Sequence, residues 1–162
     1  MSMTPLFTEE LVFVAARGIG EKLKPGPISI SELQEFPLLL PSKHTYLREL
    51  IDAAFDASAC TQTVVAEMDT AYSLCGGAAR DLGSTILPAA SARHAGGALQ
   101  IRRIAPKPIE RMMSIATFDA TPLSAPAAAV LDLMVEVIRD EIGSGAWDGA
   151  RLPEGLDHKQ RL

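Results

Sequence analysis

Short apolar runs of strand type alternate with helix-periodic segments along this chain, and this alternation constrains its fold more than any other feature. The run at 11–16 is continuous and apolar and is followed by two nearby glycines, which is typical of a strand buried on both faces. At 44–58, apolar side chains recur at helical spacing opposite charged ones, which predicts an amphipathic helix. Because the two patterns alternate, we expect an α/β fold with a largely parallel sheet.

The same patterns predict the remaining elements. Ser29 and Glu32 have the spacing of a capping box, and Ser124 is placed to cap a long last helix. Residues 17–27 are expected to form a connector, and 146–162 a frayed tail. The other predicted strands are 38–40, 63–66, 85–87, 99–104 and 112–117, and the other helices are 30–36, 70–82, 89–94 and 125–142. The last helix is expected to pack through Ala127, Val130, Leu131, Met134, Ile138 and Ile142.

Charge and composition exclude several classes of function. The chain has 162 residues and a formal net charge of −5, so it has no general attraction for nucleic-acid phosphates. Two cysteines are too few for a disulfide framework, and the scattered His44, His94 and His158 match no metal motif. No apolar run reaches the about 20 residues that span a bilayer, and the N-terminus lacks a secretory signal. We therefore expect a cytoplasmic protein without metal or cofactor that contacts neither membrane nor nucleic acid.

Three predicted loops beside strand ends carry candidate ligand-binding residues. In parallel sheets, ligands bind where the carboxyl end of a strand meets the free N–H groups of the next helix. The loop at 41–45 combines hydroxyls, an ammonium group and an imidazole, which suits a small anion. The alternative is that Ser42 or Thr45 only caps the following helix. The other two loops are 67–70, with two carboxylates, and 83–85.

Catalytic interpretations of these residues are weaker. Ser42, His44 and Asp69 contain the groups of a nucleophile, a base and an orienting acid, but Ser42 lacks the glycines of a nucleophile elbow. We therefore do not expect an enzyme. Cys75 is expected to be a packed residue rather than a reactive thiol, and the basic residues at 102–111 a solvated edge.

Several short motifs follow one another in a specific order between residues 4 and 150. They are Thr8-Glu9-Glu10-Leu11-Val12-Phe13-Val14, Pro37-Leu38-Leu39-Leu40-Pro41-Ser42, Val64-Val65-Ala66-Glu67-Met68-Asp69 and Leu82-Gly83-Ser84-Thr85-Ile86-Leu87-Pro88. In this order they resemble the effector-binding domain of LysR-type transcriptional regulators, in particular the branch that includes nitrogen-assimilation-control regulators. The resemblance implies a periplasmic-binding-protein-like (type II) fold, in which two α/β lobes enclose an effector.

The resemblance also implies a division of the chain. It assigns 4–26 to a partial first lobe and crossover, 27–100 to a complete second lobe, 101–145 to the return into the first lobe, and 146–162 to a flexible tail. The family's winged helix-turn-helix, linker helix and opening strand-helix-strand have no counterpart. We therefore expect an N-terminally truncated sensor whose DNA contacts lie elsewhere.

The family's effector pocket maps onto the loops already singled out. The implied effector-binding residues are Ser42, Lys43, His44, Thr45, Met68, Asp69, Thr70, Gly83, Ser84 and Thr85. We expect a small organic acid or other small anion as effector, and the alternative function is a stand-alone solute-binding module without a transcriptional role. Because a partial lobe leaves apolar faces uncovered, we expect a dimer or higher homo-oligomer to which the helix at 44–58 contributes.

Overall fold

A computed structural model describes residues 1–21, 23–94, 99–118 and 122–153. The chain divides into two compact units, one of Glu10–Arg111 and one of Met1–Glu9 with Met112–Leu162. In chain order the elements are β1 (Ser2–Ala16), α1 (Arg17–Gly20), α2 (Ile30–Leu33), β2 (Pro37–Leu40), α3 (Tyr46–Ala57), β3 (Thr63–Glu67), α4 (Ala71–Ala79), β4 (Ser84–Pro88), α5 (Ala89–His94), β5 (Leu99–Arg103), β6 (Ile109–Thr117), α6 (Ala125–Gly143) and β7 (Ala150–Arg151).

The sheet of unit Glu10–Arg111 has the strand order β3-β2-β4-β1-β5. Strand β2 is parallel to both of its neighbours, with Leu39 opposite Thr85 of β4 and Leu40 opposite Glu67 of β3. Strand β1 is antiparallel to β4 and β5. The mixed α/β sheet agrees with the predicted fold class, but the parallel order is limited to β2, β3 and β4. An apolar pattern predicts that a strand forms but does not predict whether it runs parallel or antiparallel to its neighbours, so the sequence could not show that β1 is antiparallel.

Both faces of this sheet are covered by helices. On one face, Phe13, Leu38 and Ile86 belong to the same buried cluster as Ile51 and Phe55 of α3. On the other face, Leu39 and Leu87 cluster with Leu74 and Cys75 of α4, and Val12 and Val14 cluster with two alanines of α5. This two-sided burial explains why the strands are continuous apolar runs rather than alternating ones, and it confirms the prediction for 11–16.

Local side-chain hydrogen bonds set several helix ends. The predicted capping box of α2 is present, because the Ser29 hydroxyl accepts from the Glu32 amide at 3.3 Å while Glu32 accepts from the Ser29 amide at 2.8 Å. The hydrogen bonds that the Glu32 carboxylate accepts from the Ser29 amide and the Ser29 hydroxyl hold the pKa of Glu32 below its ordinary value. Helix α4 ends at Ala79, before the predicted 82, because Asp81 has a φ of 60° and so leaves the helical path. The predicted connector at 17–27 begins instead with the short helix α1.

The unit of Met1–Glu9 and Met112–Leu162 contains a strand pair that the sequence does not predict. Strand β7 pairs antiparallel with β1, with Thr8 opposite Arg151 and Glu9 opposite Ala150. The ring of Trp147 lies 4.7 Å from that of Phe7, centroid to centroid. The expectation of a frayed tail from 146 is therefore wrong as far as Arg151. A segment without apolar periodicity still finds partners here, through Trp147 and β7. Residues 154–162 lie outside the described part of the chain.

The predicted core stripe of α6 is only partly correct. Leu131, Ile138 and Ile142 are half-buried, but Val130 and Met134 are 66% and 43% exposed, and Val135, which the stripe does not include, is buried. Apolar residues occur on more than one side of α6, since Leu133 and Val137 are exposed as well. Periodicity therefore could not single out the buried side. Among the described helices, α6 included, none is long and apolar enough to span a membrane.

The start of β4 approaches the start of β2 closely at Gly83. A Cβ atom added at Gly83 would lie 2.9 Å from the carbonyl oxygen of Pro37 and 3.1 Å from Cγ of Leu39. Because a backbone oxygen in a sheet cannot move easily, we expect Gly83→Ala to lower the free energy of unfolding by about 1–3 kcal/mol. Urea denaturation monitored by circular dichroism measures this loss.

The matched control is Gly143→Ala at the end of α6, where the added Cβ meets no described atom within 4 Å. We expect this variant to unfold at the wild-type urea concentration or slightly above it, since alanine favours a helix over glycine by up to about 1 kcal/mol. Equal midpoints for Gly83→Ala and the wild type would contradict the steric interpretation of Gly83.

Candidate functional site

Two loops meet at the carboxyl ends of β2 and β3. Ser42 follows β2, and Asp69 follows β3. The parallel ladder continues past the strands, because the Met68 amide donates to the Leu40 carbonyl oxygen at 3.0 Å. The Ser42 hydroxyl donates a hydrogen bond to the Asp69 carboxylate. Two of the predicted site residues, 27 positions apart in the sequence, are thus brought into direct contact.

The same two loops lead into the N-termini of α3 and α4. Thr45 caps α3 by accepting from the Arg48 amide at 3.3 Å and also donates to the Ser42 carbonyl oxygen at 2.9 Å. Thr70 caps α4 by accepting from the Ser73 amide at 3.0 Å. The sequence leaves open whether Ser42 or Thr45 caps α3. Thr45 is the cap, and the Ser42 hydroxyl donates to Asp69 instead. Other first-turn amides of both helices have no intrahelical acceptor, which makes this edge suitable for an anion.

Lys43 and His44 lie exposed on the first loop. Met68 is half-buried on the second loop. His44 is not the partner of the Ser42 hydroxyl, whose proton points to Asp69. A serine nucleophile needs a base in that place, so the contact does not support the hydrolase interpretation. Among the residues the structure describes, no group of three or more His, Cys, Asp or Glu side chains is arranged to hold a metal ion.

Gly83, Ser84 and Thr85 lie at the start of β4, away from the two loops. Gly83 is near Pro37, where β2 begins, and the turn leads into the strand that ends at Pro88, as the sequence predicts. Gly83 and Ser42 are therefore at opposite ends of β2. Ser84 and Thr85 are fully buried, and their hydroxyl oxygens have no hydrogen-bond partner among the described residues. The carboxyl end of β4 is instead Pro88, which pairs with Leu11 of β1.

A buried arginine that the sequence argument missed lies beneath the two loops. The side chain of Arg48 is 6% exposed, although helical periodicity assigns it to the charged side of α3. Its guanidinium donates to the Pro41 carbonyl oxygen at 3.1 Å, to Glu67 at 3.0 Å and to Asp52 at 2.8 Å. Burial alone would lower the pKa of Arg48, but its hydrogen bonds to Asp52 and Glu67 outweigh burial and raise it. The spacing of Arg48 and Asp52, four residues apart, was the available signal.

Burial distinguishes the two cysteines. Cys75 is 2% exposed and packs with Leu39 and Leu74, and burial raises the pKa of its thiol. Cys60 is half-buried. Because the thiolate is the reactive form, we expect iodoacetamide to alkylate Cys60 in the folded protein while Cys75 reacts only upon unfolding.

Mass spectrometry of peptides after timed alkylation at pH 8 measures the two rates. The control is the same reaction in denaturant, where both thiols should react alike. A folded protein in which Cys75 reacts as fast as Cys60 would contradict the packed interpretation.

Comparison with known proteins decides the family. Residues 1–139 match the family model of the LysR substrate binding domain. The chain belongs to this family. The expected resemblance is thereby confirmed, and with it the type II periplasmic-binding-protein-like fold class. LysR-type proteins are transcriptional regulators, not enzymes.

Individual relatives place this LysR substrate-binding domain more narrowly. It is 26% identical over 145 residues to the nitrogen assimilation regulatory protein nac of Escherichia coli (strain K12), covering 88% of this chain and 46% of that protein. The chain thus spans about half the length of this curated relative. The similarity agrees with the branch that the sequence motifs favoured.

Solved structures share the fold at low sequence identity. The effector binding domain of QuiR in complex with shikimate superposes with a TM-score of 0.71 at 20% identity, over 86% of this chain and 66% of that one. The Synechocystis PCC6803 CcmR regulatory domain in complex with 2-PG gives a TM-score of 0.72 at 20% identity, over 84% of this chain and 66% of that one. The second chain in each comparison is thus covered to about two thirds.

Proposed function

We propose that this LysR substrate-binding domain senses a small anionic effector for a transcriptional regulator, at the edge where β2 and β3 end. The observation that carries the proposal is the contact between Ser42 and Asp69, which joins the loops that lead into α3 and α4. The fold neighbours QuiR and CcmR, each described in complex with a small molecule, support an effector role. Effector binding would shift the populations of conformations in the regulator.

The chemistry of this edge favours a hydroxylated acid. The first turns of α3 and α4 offer N–H groups and the positive end of the helix dipole, which stabilise a carboxylate or phosphate. Lys43 adds a positive charge close by in the chain. Asp69, in contrast, accepts hydrogen bonds and repels a second anion, so a hydroxyl group on the ligand suits it. The proposed effector-binding residues are those of these two loops, Ser42–Thr45 and Met68–Thr70, and the role of 83–85 is indirect, through the packing of β4 against β2.

A thermal-shift screen with shikimate, 2-PG, sulfate and uncharged sugars tests this proposal. We expect at least one hydroxylated acid to raise the unfolding temperature, because a ligand at 100 times its Kd adds about 2.7 kcal/mol to stability. Ser42→Ala should weaken that ligand about tenfold or more, since a hydrogen bond to a charged group contributes about 1.5–3 kcal/mol.

The matched control is Ser58→Ala at the other end of α3, where the hydroxyl donates to the Ala54 carbonyl oxygen. This variant should bind as the wild type does. The proposal fails if no acid in the screen binds, or if both serine variants lose the same affinity.

Self-association is a second part of the proposed function. Val130, Leu133 and Val137 of α6 are exposed, and contiguous apolar surface of this kind marks interaction sites. We propose a homodimer to which α3 and α6 contribute. Light scattering should give twice the chain mass of 17.3 kDa, and Val130→Glu with Val137→Glu should lower it to the mass of one chain.

Exposed Glu21→Lys provides a charge-changing control outside α3 and α6, and it should leave the dimer intact. A single-chain mass for the wild type at millimolar concentration would contradict the dimer. The regulatory role has its own test, since an in-frame helix-turn-helix in the gene upstream of Met1 distinguishes a regulator from a stand-alone solute-binding module.

A further inference from the structure

Arg48 contacts the residue that immediately precedes each loop of the proposed site. One guanidinium nitrogen, Nη1, donates to the Pro41 carbonyl oxygen at 3.1 Å and to the Glu67 carboxylate at 3.0 Å. Pro41 immediately precedes Ser42, and Glu67 lies two residues before Asp69. A single nitrogen atom therefore connects the strand ends that carry the two contacting side chains.

We propose that Arg48 is a positioning residue that sets the separation of the two loops and thereby the affinity of the effector site. This inference rests on the proposed function, since it concerns the same two loops. Nε of Arg48 donates to Asp52 at 2.8 Å, four residues further along α3, which fixes the plane of the guanidinium. Gln62 also donates to this Asp52 oxygen at 2.8 Å, but the hydrogen bonds of Arg48 to Pro41 and Glu67, which join the two strand ends, do not involve Gln62.

Stability alone does not account for this arrangement. The side chains of Asp52 and Glu67 are 41% and 36% exposed, and ion pairs with such exposed partners contribute little to stability. Burying the guanidinium also has a desolvation cost, which an apolar side chain of similar size would avoid. What arginine adds is a planar group with donors in fixed directions, which lysine cannot reproduce. The geometry therefore points to orientation of the loops as the role of Arg48.

The carboxylate of Glu67 offers a conservative and a disruptive substitution at the same position. Glu67→Gln keeps an oxygen that accepts from Arg48, whereas Glu67→Ala removes it. Arg48→Lys keeps the charge and removes the fork. Gln62→Ala is the matched control, because it perturbs Asp52 without touching either loop.

The first measurement needs no ligand. In ¹H–¹⁵N NMR spectra of the whole chain, we expect Arg48→Lys and Glu67→Ala to shift the amide signals of Ser42, Asp69 and Thr70 and to speed their hydrogen exchange. Glu67→Gln should restore the wild-type pattern, and Gln62→Ala should leave it unchanged. Wild-type signals in Glu67→Ala, or equal shifts in Gln62→Ala, would overturn the proposal.

The second measurement is the Kd for inorganic phosphate by calorimetry, at a temperature where every variant is folded. We expect Arg48→Lys and Glu67→Ala to weaken phosphate binding about tenfold, and Glu67→Gln and Gln62→Ala to change it less than threefold. Equal affinities in all variants, with wild-type phosphate binding intact, would overturn the positioning role alone. If the wild type binds no phosphate, the anion site fails, and the ligand-free spectra still decide whether Arg48 positions the loops.

Discussion

The burial of both faces of the two central parallel strands, β2 and β4, is the constraint on which the rest of unit Glu10–Arg111 depends. Leu38, Leu39 and Leu40 are consecutive and all buried, which is possible only if helices cover the sheet on each side. A one-residue slip of β2 would place each leucine in the other cluster, so the apolar contacts fix the register. The pairing of β2 with β3 shifts by one residue between Leu38 and Leu39. In the shifted register Leu40 lies opposite Glu67, and Ser42 and Asp69, each two residues further along, meet.

Helix α3 has two functions in this arrangement. Ile51 and Phe55 anchor it in the core, and its first turn carries both the Thr45 cap and Arg48. Because Arg48 lies on a helix that is packed in the core, its side chain is held more rigidly than the side chain of a loop residue would be. A ligand at the edge of the sheet would contact backbone groups whose positions the core already determines, so little conformational entropy would be lost on binding.

In the unit of Met1–Glu9 and Met112–Leu162, few apolar side chains are buried among the described residues. Its long helix α6 buries Val135 but exposes Val130, Leu133 and Val137. Its strand β7 has two residues, and Trp147 packs on Phe7 beside it. Removing apolar surface from water is favourable, so a second copy of the chain that covers this helix face would be stabilised there. This is the physical basis of the proposed dimer.

The sequence by itself determined most elements of unit Glu10–Arg111, although not the short helix α1, and it determined the family, because periodicity, capping residues and motif order are local properties of the chain. It placed Ser42, Thr45, Asp69 and Thr70 correctly beside strand ends. The tertiary structure alone decided that Gly83 lies at the far end of β2, that Arg48 is buried, and which side of α6 is covered. Each of these depends on which strands are neighbours, and local patterns carry no information about contacts between distant segments.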